Sequence, residues 1–285
     1  MLLKDFLPGI SLMEFVQCYR IVHFDFSATG QVPFKAYPPK PENCLHFFLR
    51  DRFAIGNKED DKEYQPLMLF TGQQTSLVKQ YTGKDFLDVQ VVFQPTGIFR
   101  LRGIPSFELT NRFIDASCIF SKDIRDTFQQ LQSAEGYHEI LVIVESFVKK
   151  LVSRAKRDFN PIDLVSRHMF RGDMNVSLDW LAKEACLCTK QFKRKFFERA
   201  GVNPKTYTRI IRFNKVFNMK NRYPGRNWHS IASGCAYSDY QHLAKDYKDF
   251  TGLSPHQFHL LENNAPENAL GLTKMVYRTR AGLFV

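Results

Sequence analysis

Between Cys188 and Tyr207 the sequence CTKQFKRKFFERAGVNPKTY sets Lys190, Lys193, Arg194, Lys195 and Arg199 among Phe192, Phe196 and Phe197. If the segment is helical, the three- and four-residue spacing gathers the rings on one face and leaves Lys190, Gln191, Lys193 and Arg194 on another. Fixed cations on a stiff rod suit a polyanion. They release counterions from phosphates, Lys and Arg match the guanine edge, and Gln matches the adenine edge. A single such helix reads equally well as a solvated basic face or as a helix lying on an anionic membrane surface.

Repetition separates these readings. When Cys188 is aligned with Ser238, a short helix and tight turn precede each, an amphipathic helix follows, and Gly201-Val202-Asn203-Pro204 answers Gly252-Leu253-Ser254-Pro255 at an offset of 50 or 51 residues. A supersecondary unit used twice is a sequence-level duplication, and short helix, turn and second helix is the helix-turn-helix arrangement. In the second copy Leu243, Tyr247 and Phe250 form the apolar stripe, leaving Tyr240, Gln241, Ala244, Lys245 and Lys248 outward. Asp239, Asp246 and Asp249 offset its charge, so the first copy is expected to supply more electrostatic affinity and the second more shape and base selectivity.

The elements that must position these residues are marked by their ends. Asn160-Pro161 starts a helix to about Arg171, Ser177 caps LDWLAKEAC, and Thr189 begins the cationic segment, which Gly201 stops. Pro204 opens a long helix to about Asn221, the turn RYPG breaks the chain, Asn227 caps WHSIASGC, Ser238 caps DYQHLAKDYKDF, and Ser254-Pro255 begins HQFHLLENN. Upstream, residues 10–120 carry short aromatic or alternating runs such as CYRIVHFDF, CLHFFLR, PLMLF and LDVQVVFQP, which predict a β-rich domain. Ser121 then reads as the cap of KDIRDTFQQLQ, and a helix from about Tyr137 to Arg157 carries the stripe Ile140, Val144, Phe147 and Leu151, suited to packing on its own domain or to a dimer seam.

Residues from about 160 to 262 resemble the DNA-binding domain of the AraC/XylS family of bacterial transcription regulators. The resemblance rests on LAKEACLCTKQFKRKFFERAGVNPKTYTRIIR and IASGCAYSDYQHLAKDYKDFTGLSPHQF, about a third of the chain. It implies two helix-turn-helix subdomains bridged by the helix from Pro204, with recognition helices entering successive major grooves about 34 Å apart on one DNA face. By position it assigns base contacts to Lys190, Gln191, Lys193, Arg194, Tyr240, Gln241 and Lys245, and phosphate contacts to Thr189, Ser238 and Lys248. The sequence departs from the family where Cys186 and Ala236 stand at turn positions often held by glycine, and where Lys245 replaces a common arginine and loses its bidentate fork. The β-rich half is similar to the regulatory half of such proteins, a cupin-like barrel that binds an effector, mediates dimerisation or both. FQPTGIFRLRGIPSFELTN, residues 93–111, resembles a stretch found in some of these sensor domains.

Composition fits this plan. The 285 residues, 44% hydrophobic and 24% charged, suffice for two cores. Of the net charge of +11, the window Arg171–Leu260 holds 16 Lys/Arg against 7 Asp/Glu, leaving 24 against 22 elsewhere, so the basicity belongs to one module. The six cysteines lack the paired framework of a secreted mini-domain and read as reduced thiols. MLLKDFLPGI has no signal-peptide pattern, and Ile140–Val148 is too short and too interrupted for a membrane span, so a cytoplasmic protein is expected. Cys186 and Cys188 are expected as buried thiols at a turn rather than half a zinc site, and Trp180 and Trp228 as core residues. His23, His46 and His138 occur singly, with no His-x-His pair, phosphate loop or nucleophile elbow.

The expected fold is therefore an α+β multidomain chain with an N-terminal β-rich cupin-like barrel and a C-terminal all-α double helix-turn-helix. Residues 1–120 would form the sensing domain, 121–158 a helical connector or dimerisation segment, 159–264 the DNA-binding domain and 265–285 a tail. The expected function is sequence-specific transcription regulation responsive to a small-molecule effector, by a homodimer on double-stranded promoter DNA with RNA polymerase as partner. No enzymatic activity, metal, cofactor or membrane is expected. The alternatives are an architectural DNA-binding protein without an effector, and a metal-dependent cupin enzyme fused to a DNA-binding domain.

Overall fold

A computed structural model describes residues 1–28, 32–120, 122–171 and 176–272. Its N-terminal part contains β1 (Leu2–Phe6), β2 (Val16–Asp25), β3 (Lys35–Tyr37), β4 (Asn43–Phe48), β5 (Ala54–Ile55), β6 (Glu63–Tyr64), β7 (Met68–Thr71), β8 (Val78–Tyr81), β9 (Asp85–Phe93), α1 (Gly97–Arg102), β10 (Phe113–Asp115), α2 (Ser117–Phe120), α3 (Lys122–Gln132) and α4 (Tyr137–Ser153). Helices follow: α5 (Pro161–Arg171), α6 (Leu178–Glu184), α7 (Thr189–Ala200), α8 (Pro204–Arg222), α9 (Trp228–Gly234), α10 (Tyr240–Thr251), α11 (Pro255–Glu262) and α12 (Pro266–Ala269).

The strands form a six-stranded sheet in the order β1-β2-β9-β4-β7-β10 and a four-stranded sheet in the order β3-β8-β5-β6. The pairings are antiparallel, and alternation along β2, β4 and β9 gives the large sheet two unlike faces. One face carries Tyr19, Ile21, Leu45, Phe47, Val89, Val91 and Phe93 into a core completed by α3 and α4. Ile140, Val144, Phe147 and Leu151 are consumed in this core, so that stripe is not a dimer seam. The opposite face carries Val22, Phe24, Phe48 and Phe86, interleaved with Arg20, His46, Asp88 and Gln90.

The expected barrel is not closed. The two sheets face each other across a cavity but are not hydrogen-bonded to one another among the described residues. Strands β5 and β6, two residues each, are too short to carry the smaller sheet round, and Phe217, Pro266 and Glu267 of the helical region complete the cavity wall. Strand β1 falls where the sequence shows no alternation; it pairs with β2 from Leu2↔His23 to Phe6↔Tyr19. The cap expected at Ser121 lies outside the described residues.

Candidate functional site

The first helix-turn-helix unit is α6 and α7. The Ser177 hydroxyl accepts from the Trp180 amide and starts α6. Cys186 takes a left-handed φ of 54° in the turn, and α7 runs from Thr189 to Ala200. Phe192, Phe196 and Ala200 are buried with Ile162, Val165, Leu181, Tyr207 and Ile211. Burying that stripe turns Lys190, Gln191, Lys193 and Arg194 to solvent, as the sequence predicts. Thr189 donates its hydroxyl to Asp179 at 2.8 Å, tying α7 to α6.

The second unit, α9 and α10, repeats this backbone. Asn227 caps α9 through the Ser230 amide, and Ala236 takes φ 57° in its turn. The left-handed residues Cys186 and Ala236 lie 50 positions apart, whereas the recognition helices start at Thr189 and Tyr240 and their left-handed C-caps Gly201 and Gly252 follow, 51 apart. One extra residue between turn and helix therefore accounts for the double offset. It also moves the cap: Asp239, not Ser238, accepts the His242 amide, while the Ser238 hydroxyl bonds to Asp239 and His242.

Matching the buried sets Phe192, Phe196, Ala200 and Leu243, Tyr247, Thr251 puts the two recognition helices in register. Gln241 then stands where Lys190 stands, His242 at Gln191, Ala244 at Lys193 and Lys245 at Arg194. Gln241 and Lys245 are exposed. Tyr240 is half-buried beside His229, with ring centroids 5.3 Å apart. His242 escaped the sequence reading because the shift of one residue is invisible without the backbone. Lys248 is exposed, donates to the Gly252 carbonyl at 2.8 Å, and occupies the position of Phe197.

That equivalence shows which side faces inward. Phe197 does not share the buried face of Phe192 and Phe196, on which the spacing gathers all three rings; it stacks on Phe107 of the sheet domain, 5.1 Å between centroids. Around this contact Ser106 donates to the Arg199 carbonyl at 2.7 Å and Thr110 to the Gly201 carbonyl at 2.8 Å. A Cβ at Gly201 would lie 2.6 Å from the Thr110 hydroxyl, so glycine is needed for space as well as for φ +85°. The stretch 93–111 thus supplies the dock for the first unit. Asp163 clasps Arg199 at 2.8 Å and lies 3.8 Å from Arg100.

Helix α8 seats both units. Tyr207 and Ile211 enter the first core; Ile210, Phe213, Val216 and Phe217 enter the second. Its nineteen residues span about 28 Å at 1.5 Å per residue. Arg209 and Arg212 reach from α8 to Asp246 of α10, which also accepts from the Tyr237 hydroxyl at 2.9 Å. The second unit meets the sheet domain too. The Leu77 amide donates to the Phe250 carbonyl at 2.9 Å, and Lys35 sits 2.5 Å from Glu262 and 2.6 Å from Glu267. Burial pushes the Glu262 carboxyl up, whereas Lys35 outweighs burial at Glu267 and holds it down.

Lys35 belongs to the wall of the cavity between the sheets, about 120 Å³. Asp5 and Glu42 close on Arg20 at 2.7 and 3.0 Å; burial alone would lower this guanidinium's pKa, and the two carboxylates more than offset that. The sequence signal for the cavity was available in Arg20, Asp88 and Gln90, polar residues inside otherwise apolar strands. The pairing of Lys35 with carboxylates more than 220 residues away was not.

Two expectations about side chains fail. Cys186 and Cys188 are exposed, because the turn that carries them faces solvent, and no group of three metal-ligating side chains occurs among the described residues. Trp180 is 39% exposed and rests on His168, whereas Trp228 packs against Tyr247 and His259. No helix among the described residues is long and apolar enough to cross a membrane.

Two helix-turn-helix units on one bridging helix, each with its polar face outward, define a DNA-binding module. Residues 181–260 match the family model described as a helix-turn-helix domain, and the C-terminal region is an AraC-type domain of this kind. No curated protein matches the chain. Among solved structures it is similar to ToxT from Vibrio cholerae O395 at 10% identity, covering 85% of this chain and 96% of that one, with a TM-score of 0.45. It is similar to an apo ToxT variant from strain SCE256 of the same species at 10% identity, 85% and 97% coverage and a TM-score of 0.47. Wild-type ToxT bound to an unsaturated fatty acid gives 11% identity, 86% and 94% coverage and a TM-score of 0.42.

Proposed function

We propose that this protein is a cytoplasmic, sequence-specific transcription regulator that binds double-stranded promoter DNA as a homodimer, positions RNA polymerase there, and answers to a small-molecule effector without catalysing a reaction. The reading rests on one observation above the others: two units of matched backbone, seated on α8, expose Lys190, Gln191, Lys193 and Arg194 in the first and Gln241 and Lys245 in the second. Residues 159–264 act as the DNA-binding domain, and residues 1–120 with the helices of 121–158 as the sensor. Base contacts fall to Lys190, Gln191, Lys193 and Arg194 in one groove and to Tyr240, Gln241 and Lys245, joined by His242, in the next. Thr189 and Ser238 meet phosphates at the entries of the two helices, where N-terminal amides favour anions. Lys248, at the position of Phe197 and bonded to the Gly252 carbonyl, stands away from this face and is not assigned a phosphate.

Effector response follows from where the cavity lies. Its walls include Phe217 and Glu267, so a ligand there touches the sheets and the DNA-binding domain at once. Selection of bound duplexes from a random pool by the full chain tests the proposal. The expected result is two enriched motifs whose centres lie about 10–10.5 base pairs apart within each protomer's site. Retention of duplexes with no enriched sequence overturns sequence-specific binding and leaves the architectural alternative.

A further inference from the structure

The cavity side chains indicate what kind of molecule the sensor accepts, an inference that rests on the effector reading above. Across the inner face of the large sheet, Arg20, Gln90 and His46 lie in register on adjacent strands, with Asp88 next along β9. The permanent cations are engaged. Arg20 holds Asp5 and Glu42, Lys35 holds Glu262 and Glu267, and Lys40 donates to the Tyr37 hydroxyl at 2.8 Å and lies over its ring. Among the described residues, Asp5, Glu42, Glu262, Glu267 and Asp88 face Arg20, Lys35 and Lys40 in and around the cavity.

Among the described residues Asp88 pairs with His46 and with no permanent cation. It is 3% exposed, and its Oδ2 accepts from Gln90 at 2.6 Å and faces His46 Nδ1 at 3.0 Å. Asp88 lines the cavity and its buried Oδ1 has no hydrogen-bond partner among the described residues; Thr82, which follows β8 and also lines the cavity, has a buried hydroxyl with none either. A buried carboxylate oxygen without a donor is costly, and a ligand that brings one relieves it. Val22, Phe24, Phe53, Phe86, Phe113 and Phe217 make up the apolar part of the wall, which also includes Thr71, Gln74 and Gln80.

We propose that this cavity binds a small amphipathic cation, an amine or amidine on an apolar body, whose N–H groups bond to Asp88 Oδ1 while the body packs among the phenylalanines. A carboxylic acid must first displace a resident carboxylate from Arg20 or Lys35, or the Tyr37 hydroxyl from Lys40.

Titration calorimetry of the full chain with 2-phenylethylamine, 2-phenylethanol and phenylacetate, matched in body and different in headgroup, tests this. The amine is expected to bind about ten- to a hundredfold more tightly than the alcohol, the range for a charge-assisted hydrogen bond, and the acid more weakly than both. Asp88→Asn is expected to erase the preference for the amine, and Thr82→Val to reduce it by a smaller factor. If Asp88→Asn does not fold, the wild-type ranking still decides. Acid or alcohol binding as tightly as the amine overturns the headgroup assignment and leaves the cavity an effector site. Amine preference surviving Asp88→Asn overturns the role of Oδ1. Absence of binding by all three overturns both this assignment and the cavity as effector site.

Discussion

In the first helix-turn-helix unit Lys190, Lys193 and Arg194 stand in solvent with no ion pair among the described residues, whereas the second spends its charges internally. Position 195 of α7 is a lysine; its structural equivalent in α10 is Asp246, buried and shared by Arg209, Arg212 and Tyr237. Position 197 of α7 is a phenylalanine docked on the sheet domain; its equivalent is Lys248, folded onto its own helix end. One backbone thus serves two purposes. The first unit is a cationic face held from behind by the sheet domain, and the second is a nearly neutral face that adds ion pairs to α8 to its own contacts with that domain.

The largest way to break this comparison is at that shared position. Asp246→Ala leaves the buried Tyr237 hydroxyl without its acceptor and takes the buried carboxylate from Arg212 and from Arg209, which retains Asp249, and is expected to destabilise the protein by about 3 kcal/mol, the low end for breaking a buried ion pair. Lys195→Ala is expected to stay within about 0.5 kcal/mol. Chemical denaturation of the two variants, side by side, measures the difference. Equal effects would mean that the units are stabilised alike.

Next comes DNA affinity. Arg194→Ala is expected to cost about 1–3 kcal/mol on a selected operator and to relax base preference at one position. Fluorescence anisotropy on operator and mutated operators reads both. Lys245→Ala, which removes a monodentate cation at the equivalent position, is expected to lose less affinity and to lower the salt slope by about one. Titrations at several salt concentrations check this, and a larger loss for Lys245→Ala than for Arg194→Ala would invert the proposed division of labour. The smallest effect concerns what the units share. Cys186→Gly and Ala236→Gly each relieve a left-handed backbone and are expected to stabilise by up to about 1 kcal/mol, partly offset by greater freedom of the unfolded chain. Similar gains in melting experiments would support matched turns; opposite signs would show that the turns differ.

How far the sequence carries depends on where each interaction lies along the chain. Local signals located the helical ends: Ser177, Asn227 and Ser254 accept amides at the expected starts, Asn203 caps the helix expected from Pro204, and Gly201 and Gly252 take the left-handed caps. Alternation located β2, β4, β7 and β9 for the same reason. Interactions between distant segments were not legible. Phe197 reads as core until Phe107 is found beside it, and Lys35 reads as a surface residue until α11 and α12 arrive. The open sheets, in place of a barrel, follow from two-residue strands that no periodicity window resolves. The single-residue shift between turn and helix likewise hid Asp239 as the cap and His242 as a groove-facing candidate.

The central claim is that two equivalent faces read two adjacent grooves, and it is tested most directly by repeating the selection from random duplexes with Arg194→Ala and with Gln241→Ala. Each variant is expected to lose base preference in a different motif, the two motifs lying about one helical turn apart, while the other motif persists. Loss at the same positions in both variants, or in neither, would contradict it.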